Sequence, residues 1–216
     1  MQTRRFAIAL AGAALAVALS ISPLARSEAE TEHPASTFLD TMRERAISGL
    51  TDNTRSDEER EALFRGLLNE TFDIQRIGRF VVGRYWRQAD AKDQEAFLKA
   101  FEDAIVQRFL PLFAQYKGEQ LIIGEGRPDT KNPKFTVVTS TYIDAQGREV
   151  KTDWRLLQRD GKYKVFDVLV EGVSMAITLR SEYASVIKQR GGLPGLVVLL
   201  REKLAKGEFK PAVAAE

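Results

Sequence analysis

The hydrophobic repeat of this chain changes period at Lys117-Gly118 and changes back at Glu171-Gly172. Before Lys117 the apolar residues recur three and four apart, the spacing of amphipathic helices. Phe38, Leu39, Met42, Ala46, Ile47 and Leu50 form one stripe. Leu63, Phe64, Leu67 and Leu68 form a second, and Ser56 with Glu59 makes a capping box at its start. A third begins at residues 71–73 and runs through Ile74, Ile77, Phe80 and Val81. The longest begins at Asp90 and carries Phe97, Phe101, Ile105, Phe109, Leu112, Phe113 and Tyr116, with Pro111 set to bend it near its end.

After Gly118 the pattern is that of strands. Residues 119–123 make a short one, and residues 135–143 are β-branched and threonine-rich. Residues 149–158 and 163–170 follow, separated from their predecessors by a turn at 144–147 and by Asp160-Gly161, a hairpin signal. Three consecutive strands predict an antiparallel meander. In its middle strand Val150, Trp154 and Leu156 face one way and Lys151, Asp153 and Arg155 the other. One sheet face is therefore expected to be covered, with the long helix as its cover, and the other solvated. Gly124-Glu125-Gly126 before Arg127-Pro128 reads as a loop. Residues 173–188 are helical, Gly191-Gly192 breaks that helix, residues 193–204 form a last one, and residues 205–216 read as a flexible tail. Helices, then strands, then helices predict an α+β fold: a strongly bent antiparallel sheet wrapped by helices. Such layers can leave an apolar cavity between them.

The first residues have the layout of a secretory signal peptide. Arg4 and Arg5 precede an apolar run over residues 6–21, Pro23 ends it, and Ala25-Arg26-Ser27 is a small-x-small cleavage pattern. The run is short for a membrane span of about 20 residues, and Phe6 directly after the arginine pair weakens a twin-arginine reading. Residues 1–27 are thus expected to be removed, residues 28–36 to be flexible, and residues 37–204 to form a single domain. Losing Arg4, Arg5 and Arg26 from 32 basic and 30 acidic residues leaves a net charge of −1. A near-neutral exported domain has no bulk electrostatic attraction for nucleic acid.

The catalytic inventory is thin. There is no cysteine, so there is no disulfide framework or thiolate chemistry, and the lone histidine is His33. Asp167 and Glu171 share one face of the last long strand and can be read as an acid–base pair. Pairing with Arg or Lys, or capping the following helix, is the simpler account of them and is the one expected. The Gly83–Arg87 stretch GRYWR places two arginines around Tyr85 and Trp86. It matches the basic-aromatic RNA motif poorly and follows the apolar residues 80–82, so it reads as a joint between two helices.

Two long stretches carry a resemblance. FDIQRIGRFVVGRYWRQADAKDQEAFLKAFEDAIVQRFLPLFAQY (72–116) and YKVFDVLVEGVSMAITLRSEYASVI (163–187) resemble, in order and spacing, the signatures of the MlaC family of periplasmic phospholipid-binding proteins, also called toluene-tolerance proteins. GGLPGLVVLLREKL (191–204) is similar to that family's usual ending. The resemblance implies a cystatin- or nuclear-transport-factor-like sheet and a deep pocket holding phospholipid acyl chains. It also implies a shuttle between an outer-membrane lipoprotein complex and an inner-membrane MCE-domain ABC transporter, with no catalysis, cofactor or metal. AITLRSEYASVIKQRGG (176–192) also resembles the hopanoid-associated branch, whose cargo is a polycyclic lipid. An isomerase-like enzyme using Asp167 or Glu171 is the other alternative. The residues expected to line the pocket are Phe109, Phe113, Val138, Trp154, Leu156, Val168, Val170, Val173 and Ile177.

Overall fold

A computed structural model describes residues 33–144 and 146–211. The expected signal peptide, residues 28–32 and the last residues of the tail lie outside them. Helix α1 (Pro34–Leu50) starts earlier than its apolar stripe suggests. Pro34 occupies the first helical turn, where its missing N–H costs nothing, and the His33 ring caps it, with Nδ1 accepting from Ala35 N at 3.1 Å. Ala35 and Ser36 are fully buried, so the segment expected to be flexible up to residue 36 is packed from residue 33 onward.

Helix α2 (Asp57–Thr71) has the expected capping box between Ser56 and Glu59. Helix α3 (Ile74–Val82) is capped by Asp73. A 3₁₀ segment (Gly83–Gln88) then turns the chain into α4 (Ala91–Ala114), which runs through Pro111. The GRYWR joint is this turn. Gly83 has φ +58°, and a Cβ there would lie 3.1 Å from the Arg180 guanidinium. Tyr85 and Trp86 pack against the main core, with Arg79 over the indole at 5.2 Å.

The sheet is a meander of β1 (Gln120–Pro128), β2 (Phe135–Ile143), β3 (Glu149–Arg159) and β4 (Lys162–Val170), ending in the short β5 (Val173–Ser174). Every neighbouring pair is antiparallel. Helices α5 (Met175–Gln189) and α6 (Leu193–Ala205) complete the chain. Among the described residues these are six α-helices and a five-stranded antiparallel sheet, the expected α+β class.

Residues 124–126, expected to be a loop, belong instead to β1. The strand stays paired because a bulge between Ile123 and Gly126 absorbs the irregularity, and such bulges bend and twist a strand. Close approach explains both glycines. A Cβ on Gly124 would lie 2.9 Å from Thr139 O, and one on Gly126 would lie 2.5 Å from the His33 ring. Ser36 Oγ donates to Gly124 O at 2.8 Å. The capped start of α1 is thereby fastened across the bulge.

That fastening decides which helix covers the sheet. Ala35 and Leu39 of α1 pack on Val138, Leu156 and Val165, forming a small core of their own. The long helix α4, expected in that place, packs on α6, α3 and α2. Its Phe97 and Phe101 stack on each other and meet the Tyr183 ring of α5 edge-on. The opposite sheet face is not simply solvated. Phe135 and Phe166 pack together there, and Phe80 of α3 meets Phe166 edge-on at 5.4 Å. Arg155 lies over Phe135 and bonds Asp129 at 2.7 Å. Past α6 the chain is also held: Gln107 Nε2 donates to Leu204 O at 2.9 Å, and Phe209 N donates to Gln107 Oε1. The first part of the expected loose tail is docked on α4 by these bonds.

Candidate functional site

Between α1, α2, the end of α4 and the first three strands lies a cavity of about 1590 Å³. Ordinary small-molecule pockets run to about 300–1,000 Å³. The wall is shared with the two cores: Leu50, Phe64, Leu67 and Leu68 belong to the main one and Leu39 to the small one. Leu39, Met42, Ala46, Ile47 and Leu50 of α1 form one side, and Phe64, Leu67 and Leu68 of α2 the floor. Phe109, Leu112, Phe113 and Tyr116 close it from α4, while Leu121, Ile123, Tyr142, Val150 and Trp154 line the sheet side. Trp154 is held in place by its indole N–H, which donates to the buried Ser140 hydroxyl at 2.8 Å.

Charged groups line the same cavity: Lys117, Arg148 and Glu149 are exposed, and Arg43, Glu119 and Asp144 are half-buried. Asp144 accepts from the N–H groups of Arg148 and Gln146 and from the Arg148 guanidinium, which hold its carboxyl below the usual range. Burial pushes the Tyr142 phenol up, helped by Glu119 and Asp144, so it stays neutral at physiological pH. Phe109 and Leu112 are 44% and 43% exposed, leaving an apolar edge beside the charges.

Of the nine residues expected on the wall, the structure brings Phe109, Phe113 and Trp154 to it. Val138 and Leu156 are completely buried under α1, and Val168 packs against the same small core. Val170 is outside the lining at the far end of β4, and Val173 and Ile177 are exposed at 55% and 57%. The reason is position along the strands: alternation gives the correct face, but α1 fills that face over Val138, Leu156 and Val165 and leaves the void at the end where Leu121, Tyr142 and Val150 lie in register. The α1 and α2 residues were missed. Their apolar stripes are visible in the sequence, but only the fold shows that Leu39 and Leu50 are buried while Met42, Ala46 and Ile47 stay half-buried at the cavity.

Asp167 and Glu171 are not in the cavity lining. Asp167 accepts from Val168 N, Ala176 N and Ser174 Oγ at 2.7–3.0 Å and lies 3.9 Å from Arg155. Glu171 accepts from Lys151 N at 2.7 Å. Asp167 thus serves the junction between β4 and α5, and Glu171 ties the turn after β4 to β3. Among the described residues no group of three or more His, Asp or Glu side chains is placed to hold a metal ion.

The class defined by this geometry is an α+β binding domain built around a large apolar cavity with a charged mouth. The chain belongs to the MlaC protein family, whose sequence profile matches residues 40–202. It is 24% identical over 122 residues to the intermembrane phospholipid transport system binding protein MlaC of Haemophilus influenzae. That match covers 55% of this chain and 56% of the relative, so the chain spans little more than half the length of the curated protein it matches. Its fold is similar to that of a phospholipid-binding protein from Ralstonia solanacearum, solved in complex with a phospholipid. The TM-score is 0.71 at 22% identity, over 81% of this chain and 98% of that one.

Proposed function

We propose that the protein is a periplasmic phospholipid carrier that holds acyl chains in the cavity and the head group at the charged mouth. It takes up and delivers lipid between an outer-membrane lipoprotein complex and an inner-membrane MCE-domain ABC transporter. The observation carrying this reading is the cavity itself, walled mainly by apolar side chains with a few charged ones among them, in a member of the MlaC family. An acyl chain in water costs about 0.8 kcal/mol per methylene. A carrier therefore needs a shield rather than a reactive group, and the carboxylates proposed above as an enzyme's base are occupied elsewhere in the fold.

The test is organic extraction of the purified protein followed by mass spectrometry, then incubation of the delipidated protein with phospholipid vesicles. Phospholipid recovered in both steps is the expected result. A polycyclic lipid recovered in its place would assign the hopanoid cargo. A protein empty in both steps refutes the carrier.

A further inference from the structure

A second, smaller cavity of about 430 Å³ opens beside the first. The two share Arg43, Tyr116, Glu119, Leu121 and Ile123, so they are a chamber and its side chamber with Arg43 on the common wall. The side chamber differs in character. Its charged liners are Asp40, Arg43 and Glu119, one cation against two carboxylates, and it is open to solvent, with residues 118–123 along one side.

The arrangement of these charges is specific. Arg43 Nε donates to Asp40 Oδ1 at 2.8 Å, and Nη2 lies 3.6 Å from Glu44. Arg43 Nη1 has no partner among the described residues. Glu119 Oε2 accepts from Lys117 N at 2.7 Å, which orients its carboxylate at the chamber edge. Asp40 and Arg43 are about two-thirds buried, at 37% and 27% side-chain exposure, so their charges are screened less than free surface charges.

Resting on the carrier reading, we propose that this side chamber selects head groups: it takes a phosphate joined to an amine, making the cargo a zwitterionic aminophospholipid. With acyl chains in the large cavity, the lipid phosphate reaches the free Nη1 of Arg43 on the shared wall. An ammonium group a few bonds further falls between Asp40 and Glu119. The ligand's dipole then lies against the Arg43–Asp40 pair, each end meeting its opposite charge. A glycerol head group supplies the phosphate but leaves both carboxylates facing a net anion, an arrangement that repels it.

The experiment offers the delipidated protein equimolar, acyl-matched phosphatidylethanolamine and phosphatidylglycerol in mixed vesicles and measures the bound ratio by mass spectrometry. The ratio is internal to each preparation, so a change in total loading does not affect it. Wild type is expected to be enriched about three- to fivefold in phosphatidylethanolamine, the size of one partly exposed ion pair. Asp40→Asn combined with Glu119→Gln is expected to return the ratio to that of the vesicle, with the melting profile checking that the variant folds. Equal loading of wild type, enrichment in phosphatidylglycerol, or enrichment that survives the double substitution overturns the inference while leaving the carrier intact. Neither lipid bound by wild type refutes the carrier itself.

Discussion

Ala46 sits midway along α1 on the cavity wall, and replacing it with tryptophan fills space that the proposal assigns to cargo. A tryptophan side chain buries at least about 150 Å². Each acyl methylene is worth about 0.8 kcal/mol, which at about 25 cal/mol per Å² corresponds to roughly 32 Å² of surface. Ala46→Trp therefore displaces about five methylenes, or about 4 kcal/mol, close to a thousandfold in Kd. The assay must use short-chain phospholipid dissolved as monomer in water. Against a vesicle the displaced methylenes would only return to another apolar phase, and the effect would largely cancel. Calorimetry with dihexanoyl and dioctanoyl phosphatidylcholine supplies the second arm on wild type. Four methylenes separate these ligands, for about 3 kcal/mol or roughly 200-fold in affinity. The lipid-free variant is expected to melt no lower than wild type, because the new ring fills a void. A folded Ala46→Trp protein with wild-type affinity, together with a flat chain-length series, would show that acyl chains do not enter this cavity.

Trp86→Ala is expected to lower stability by about 2–4 kcal/mol through lost packing and the lost Arg79 contact, with the lipid affinity of the folded fraction unchanged, since Trp86 is not in the cavity lining; a wild-type melting profile with lost binding would refute this. Trp154→Phe leaves the buried Ser140 hydroxyl without its donor and should cost about 1 kcal/mol, a melting shift of about 2–4 °C. Burial raises the Asp129 carboxyl, but N–H groups of Lys131 and Asn132 and the Arg155 guanidinium outweigh it and hold it below its ordinary 3.8. A carboxyl lowered in the folded state adds stability that is complete above the ordinary value and disappears as pH falls through the folded one. Asp129→Asn should therefore flatten the loss of stability below pH 3.8 seen by acid titration of wild type; an unchanged acid limb would mean that the Arg155 cluster does not set it.

The elements were legible because each is written locally. Ser56 and Glu59 form the capping box their spacing predicts, and Asp160-Gly161 makes the tight turn between β3 and β4. The edge strand was half hidden, since Gly124 and Gly126 carry no alternating side chains. Gly126 pairs with Val138 of β2, while Gly124 lies in the bulge and is held by Ser36 at the start of α1.

The class and the order of elements can be read along the chain, because period and caps are properties of neighbouring residues. Which faces meet and which stay apart depends on contacts between residues far apart in the chain. Anchoring α1 across the β1 bulge through His33 and Ser36 put that helix over the sheet and sent α4 to pack on its fellow helices. A cavity is the place where two apolar faces fail to meet. No local pattern distinguishes a leucine that touches its partner from one that faces the void, so Val138 and Met42 look alike in the chain and differ only in the fold.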